Sequence, residues 1–400
     1  MSTLGIIVEY NPFHNGHLFH FQQAKKITKA DTTIAVMSGS FLQRGEPAII
    51  DKWTRTKMAL AQGVDLVIEL PTIYATQSAD WFAYGATFLL DQLNVDHLVF
   101  GSERNSLDLL NDVSDLLLNE TTRFKKHLKE TLSLGHSYPK ALALSINHFL
   151  GKEDIEITQP NDILGIQYIL NLKKMNSSVK VHTIKREYAG YHDPNISSHP
   201  IASATAIRKS IFTNNSLKDI LSVVPNSTYQ LLIQEFKQNR FNSWDNFFTT
   251  LQIMATGKDK LELSNIHGML EGLENRIKQQ LLAASSFSEL MNLLTTKRYT
   301  KTKIQRTLLY LLLNLTKDKV RSLNVKKGPQ YIRVLGFNDV GRAFLRRKKH
   351  DLNLPLITNI PRDKPLMLEI DINASKIYEA GFKNPSMIID EYKQAPIYWK

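Results

Sequence analysis

The chain contains no cysteine. That absence excludes disulfides, thiolate metal sites and any acyl-thioester intermediate on the protein. If this protein moves an acyl group, something other than a thiol must carry the activated form. Long apolar runs are missing as well. The longest, such as Leu308–Leu313, fall far short of the roughly 20 residues of a membrane span. The first residues, MSTLGIIVEYNPFHNGH, lack the basic start, apolar stretch and small-residue cleavage site of a signal peptide. A soluble, cytoplasmic protein is the expectation. No His-Glu-x-x-His and no third ligand at zinc-like spacing accompanies the histidines, so no protein-held metal is expected.

Acidic residues are scarce in one place. Between Lys297 and Lys349 there are 16 Lys and Arg against 2 Asp and Glu; the remainder carries 34 against 36. The formal charge of +12 therefore resides in this one stretch. Such one-sidedness points to a polyanionic partner, most naturally nucleic acid, ahead of a solubilising face. Lys297, Arg298, Lys301, Lys303, Arg306, Arg346, Arg347, Lys348 and Lys349 are candidates to neutralise its phosphates. Tyr299 and Tyr331 are candidate platforms for unpaired bases.

What is present reads as α/β. With 400 residues, 42 % apolar and 22 % charged, the chain can bury a sizeable core. Leu4–Val8, Thr33–Met37, Leu66–Leu70, His97–Phe100 and Val179–Ile184 are short aliphatic runs, suited to strands covered on both faces. Helical patterns separate them at His17–Thr28, Lys52–Gln62, Ser78–Leu93 and Ser106–Leu132, with Asp51 and Ser78 as N-caps. A further pair, Pro139–Phe149 and Asn161–Leu172, precedes the fifth strand. This order predicts an open, Rossmann-like parallel sheet with its ligand at the strand C-termini. After Phe212 the chain turns mainly helical. Tyr331–Leu335, Leu354–Ile357 and Leu366–Ile370 read as further strands. The predicted division is 1–215 and 216–400.

The first strand breaks at Asn11-Pro12, and His14-Asn15-Gly16-His17 follows as a helix begins. Unpaired N–H groups at a helix start make an anion site. Glycine lets a phosphate approach the backbone, and imidazoles can donate to oxygens that gain charge as an α-phosphate is attacked. His20 lies one turn on. A second candidate helix start, Ala202-Ser203-Ala204-Thr205-Ala206-Ile207-Arg208, follows the fifth strand, where the dipole would add to the Arg208 charge.

The first motif resembles the HxGH signature of the nucleotidyltransferase superfamily. The second is similar to its Ile-Ser-Ser-Thr-x-Ile-Arg signature, with Ala204 in place of the second serine. Intervening segments narrow the likeness: Met37-Ser-Gly-Ser-Phe-Leu-Gln-Arg-Gly-Glu-Pro-Ala48, Asp65–Pro71, Phe100–Glu103, Pro160–Gly165 and Lys185–Asp193. Together these resemble the bacterial tRNA(Met) cytidine acetate ligases across essentially the whole chain. The resemblance implies that ATP and acetate form acetyl-adenylate, which acetylates N4 of the wobble cytidine (C34) of elongator tRNA(Met). Magnesium would arrive with the nucleotide. It also implies ATP contacts along Ile7, Val8, Glu9, Tyr10, Asn11, Pro12, Phe13, His14, Asn15, Gly16, His17, Leu18, Phe19 and His20. Gly101, Asn161 and Arg186 would join them, with Ser203, Thr205 and Arg208 as the phosphate cradle. His14 and His17 would be catalytic, and Arg44 is a candidate donor to acetate. No membrane or required protein partner is implied. Two alternatives stand beside this reading: an adenylyltransferase acting on a small phosphometabolite, and a non-catalytic RNA-binding protein on the same fold.

Overall fold

Strand β1 (Thr3–Val8) lies at the centre of the sheet, between β2 (Thr32–Ser38) and β4 (His97–Ser102). The protein is described by a computed structural model covering residues 2–136, 138–151, 159–186, 196, 199–296, 299–382 and 389–400. β3 (Leu66–Leu70) pairs with β2, and β5 (Lys180–Lys185) with β4, all in parallel. The five expected strands thus form a parallel sheet in the order β5-β4-β1-β2-β3. The sheet does not stop there. β6 (Ile332–Phe337) adds antiparallel to β3, and β7 (Leu356–Ile357) and β8 (Ile397–Tyr398) pair with β6.

Helices α1 (Asn15–Thr28), α2 (Lys52–Ala61), α3 (Thr72–Ala75) and α4 (Ala79–Gln92) alternate with the first strands. α5 (Leu107–Leu118), α6 (Thr122–Ser133), α7 (Tyr138–Leu150) and α8 (Pro160–Lys174) lie between β4 and β5. α9 (Ala204–Asn214) opens at Ser203, and α10 (Asn226–Lys237), α11 (Phe248–Thr256), α12 (Lys260–Ser264), α13 (Leu273–Ala283) and α14 (Phe287–Leu294) follow. α15 (Lys301–Leu312), α16 (Lys317–Ser322), α17 (Asp339–Lys348) and α18 (Leu366–Ala380) complete the set. No helix among the described residues is long and apolar enough to cross a membrane.

Two expected elements differ. The helix anticipated over Ser106–Leu132 is two, because Asn119 ends α5 and the Thr121 hydroxyl caps α6 by accepting from Phe124 N. Leu366–Ile370 is not a strand but the start of α18. Its apolar run suggested a strand, yet Met367, Ile370, Asp371, Ala374 and Tyr378 are all buried, a helical spacing. Asp51 caps α2 through Trp53 N and Thr54 N. Ser78 holds the cap position of α4 without a capping bond, its hydroxyl bonding Asp80 instead.

A buried ion cluster fastens the C-terminal strands to the parallel sheet. Lys52 Nζ sits 2.8 Å from Glu69 Oε1 and 3.2 Å from Glu391 Oε1. Arg333 Nη1 lies 3.3 Å from Glu69 Oε2, and its Nη2 bonds Glu391. Two cations thus face two carboxylates, all four nearly inaccessible. Lys52 and Arg333 hold the Glu391 carboxyl down at about 2 against the burial that opposes it. Removing Arg333 leaves two buried carboxylates facing the single charge of Lys52. Arg333→Met should therefore cost on the order of 3–5 kcal/mol, read as a lowered denaturant midpoint; a loss under about 1 kcal/mol would mean the cluster contributes little.

Candidate active site

A cavity of about 590 Å³ opens where β1 and β4 part company. This is the topological switch point of the sheet, where open α/β folds place ligands. Part of the wall is built from α1, the ends of β4 and β5, and the start of α9: His14, His17, Gly101, Arg186, Ser203 and Thr205 all line it. Another part comes from Glu9 just past β1, Gln43 and Arg44 on the loop after β2, Phe82 of α4, Tyr168 of α8 and Arg306 of α15.

The histidines are fixed by the helix they begin. His14 is the N-cap of α1, and its Nδ1 accepts from Gly16 N at 3.0 Å. His17 Nδ1 accepts from His14 N at 3.3 Å. The result is a capping box made of two imidazoles, which stack at 3.7 Å between ring centroids. Gly16 is required for it: a Cβ there would lie 2.9 Å from His14 Cε1. Because each Nδ1 accepts a backbone proton, each neutral ring carries its own proton on Nε2. Burial keeps both rings neutral. His14 is lowered to about 3, with Arg186 and Arg208 adding to the effect; His17 is lowered well below the usual histidine range by burial, His14 and Arg186. The pair therefore presents Nε2–H donors rather than positive charges.

The second expected helix start is also formed. Ser203 caps α9, accepting from Ala206 N at 3.1 Å. Arg208 Nη1 donates to Asn11 O at 2.9 Å, and its Nη2 lies 3.2 Å from Glu46 Oε1. Arg208 thus clamps the turn between β1 and α1 to the loop after β2. Asn11 reinforces the clamp, its Oδ1 accepting from Ile49 N at 2.7 Å. Buried Arg55 supplies the frame beneath, donating to Glu9 O at 2.8 Å, Ser38 O at 3.0 Å and the Gly39 carbonyl.

Most residues expected at a nucleotide site line this cavity, including Ile7, Val8, Tyr10, Phe19 and His20. Pro12, Phe13, Asn15 and Leu18 are not on its wall. Phe13 is fully buried in the core, and Asn15 ties α1 to Pro200 O and Ser222 O. Gly101 lies under Arg186, so that a Cβ would come within 3.2 Å of the Arg186 stem. Asn161 sits in the first turn of α8 and donates to Glu103 Oε1 at 2.5 Å. The Glu103 carboxylate also takes Asp162 N, capping that helix. The 187–195 part of the loop after β5, with Gly190–Asp193, lies outside the described residues, as do Lys297 and Arg298.

The basic block divides in space. Lys301, Lys303 and Arg306 lie on α15, whose Thr302 and Arg306 reach the cavity. Arg306 Nε donates to Gln43 O at 2.9 Å. Gly45, at φ +78°, makes this approach possible, since a Cβ there would lie 2.6 Å from Arg306 N. Arg346, Arg347, Lys348 and Lys349 instead follow β6 to the opposite end of the strands, where β3 and β4 begin. Asn338, the cap of α17, bonds Asp65 at the start of β3, and Lys348 acts on Asp96 at the start of β4. A six-residue strand separates the two groups, about 20 Å. The tyrosines are not stacking platforms: Tyr331 is fully buried and bonds Asp371, and Tyr299 is 7 % exposed. Sequence reasoning missed Gln43, Phe82 and Tyr168, which carry no local mark of a site.

Residues 1–392 match the HIGH Nucleotidyl Transferase family. The tRNA(Met) cytidine acetate ligase of Lysinibacillus sphaericus is 42 % identical over 405 residues, covering 99 % of this chain and 100 % of the relative. The chain belongs to the tRNA(Met) cytidine acetate ligase family. A relative of the same name from Clostridium perfringens is 42 % identical over the full length of both chains. Thermotoga maritima TmcAL, 36 % identical, superposes with a TM-score of 0.93 in its apo crystal structure and 0.90 bound with alpha-thio ATP. Each comparison covers 100 % of this chain and 99 % of that one.

The depressed histidines also set the acid limb of stability. Unfolded histidines bind protons near pH 6.5, whereas folded His14 waits until about 3 and His20 until about 4. The unfolded chain binds more protons between those values. Stability is full above the unfolded value and falls as pH drops through the window, by up to about 1.4 kcal/mol per pH unit for each histidine. In urea unfolding at several pH values, His20→Phe should flatten this limb by about one proton; an unchanged slope would refute the buried, neutral state.

Proposed function

We propose that this chain is an ATP-dependent ligase that activates acetate as acetyl-adenylate and acetylates N4 of the wobble cytidine of elongator tRNA(Met). One observation carries the reading: two helix starts, one bearing two neutral imidazole donors, line a single cavity at the switch point. Kinship with ligases of that name supplies the acyl donor and acceptor.

In the first step an acetate oxygen attacks the α-phosphorus of ATP and pyrophosphate leaves. The Nε2–H groups of His14 and His17 would donate to the α-phosphate oxygens as charge gathers on them. Ser203, Thr205 and Arg208 would hold the departing phosphates. Gly101, Asn161 and Arg186, with the Ile7–His20 segment, would position the nucleoside and its phosphates. Magnesium would ride on phosphate oxygens and water, its usual mode. Acetate is a poor electrophile and a cytosine amino group a poor nucleophile. The mixed anhydride remedies the first, and holding both reactants together offsets part of the second. No thiol is needed, in keeping with a cysteine-free chain. Residues 216–400 would supply most of the RNA surface, with Lys301 and Lys303 beside the cavity. The reaction belongs in the cytoplasm, where ATP and tRNA meet.

Incubation with labelled acetate, ATP and bulk tRNA, followed by nucleoside analysis, tests this directly. Label should appear as N4-acetylcytidine; AMP transfer to a phosphometabolite with no label in tRNA would contradict the reading. His14→Asn keeps a capping oxygen but removes the Nε2 donor. It should lower acetate-dependent ATP–pyrophosphate exchange by about 10²–10³-fold without weakening tRNA binding. Lys301→Glu with Lys303→Glu should weaken tRNA binding and its salt dependence instead; equal loss of both steps in the two variants would argue against separate roles.

A further inference from the structure

The ligase reading places the nucleotide against one of the two parts of the cavity wall. On the other, Glu9 meets an aromatic wall. Phe82 and Tyr168 are 3 % and 5 % exposed, and Tyr168 packs edge-on against Phe100 with centroids 5.5 Å apart. Glu9 is held at both ends: its backbone carbonyl accepts from Arg55, and its Oε1 accepts from Gln43 N at 2.8 Å. The other carboxylate on the cavity wall, Glu46, is paired with Arg208 at 3.2 Å. Glu9 makes no ion pair within 4 Å among the described residues. Arg44 and Arg306 complete this flank.

This arrangement can read a hydrogen-bond donor. A carboxylate accepts from the N4 amino group of cytosine, which uracil lacks. The edges of Phe82 and Tyr168 that reach the cavity close this flank with apolar surface, which suits a base taken out of its stack, and cations on the same flank suit the RNA phosphates that come with it. We propose that this flank is the acceptor-base pocket, and that Glu9 takes one hydrogen bond from cytosine N4 and then receives its proton. The proposal rests on the ligase reading above. It assigns the Glu9 side chain to the acceptor rather than to ATP.

The step balances as follows. The N4 lone pair forms a bond to the acetyl carbonyl carbon. The bond from that carbon to the phosphate oxygen breaks, and AMP leaves with its electron pair. The N4 proton passes to Glu9, giving neutral N4-acetylcytidine and a protonated carboxyl that solvent later deprotonates. Burial raises the Glu9 carboxyl above the usual carboxylate range, while the Gln43 N–H opposes it. A raised carboxyl is a stronger base for this transfer.

The test separates the two half-reactions. Acetate-dependent ATP–pyrophosphate exchange reports the first, measured with tRNA present, and labelled acetyl transfer to tRNA reports both. In Glu9→Gln the ratio of transfer to exchange should fall by about 10²-fold or more, and the acid limb of the transfer pH profile should vanish. Glu9→Asp should restore part of the ratio and the limb. Equal loss of exchange and transfer, or full transfer in Glu9→Gln, would overturn the assignment. The ligase reading fails separately, if the unaltered protein places no label on cytidine.

Discussion

Two backbone N–H groups at the start of α1 decide what the site can do. By donating to Nδ1 of His14 and His17 they fix the ring orientations and the tautomers together. Burial and the nearby arginines then keep the rings uncharged. A protonated pair at this spacing would repel itself and would lose the Nδ1 acceptors that hold the helix start. The proposed donors and the helix cap are thus opposite nitrogens of the same two rings, so the donor geometry is set where α1 begins. Asn11, Arg208 and Arg55 enforce that starting point from three sides.

The second constraint is the continuity of the sheet across both halves of the chain. The Lys52–Glu69–Arg333–Glu391 cluster sits where β6 meets β3 and α2. It joins the C-terminal half to the parallel sheet whose switch point holds the cavity. The loop after β2 then lies between Glu9, Arg208 and Arg306, touching the acid beyond β1, α9 and α15 at once. An RNA held near α15 would share a wall with the adenylate, which suits a transfer between two bound partners.

Much of this was legible in the chain itself. The parallel strands showed as short aliphatic runs, and both helix-start motifs marked the cavity they share. Three things were not. Leu366–Ile370 imitated a strand because its apolar residues run nearly unbroken, and only the burial of Asp371 and Tyr378 shows the helical period. β6 gave no sign of its partner, since antiparallel addition to β3 depends on charges more than 200 residues apart in sequence. The basic block read as one surface, but β6 carries its second part to the far end of the parallel strands. Phe82, Tyr168 and Gln43 look like ordinary core and loop residues, and the fold alone assembles them around Glu9.

The central claim is that His14 and His17 act as neutral Nε2–H donors to the α-phosphate. Imidazole ¹⁵N spectra of the two rings, followed between about pH 8 and 5 with and without ATP, test it most directly. Both Nδ1 atoms should remain unprotonated throughout, both Nε2 atoms should keep their proton, and the Nε2 signals should move when ATP binds. Rings that titrate near the ordinary histidine value, or that carry their proton on Nδ1, would contradict the account.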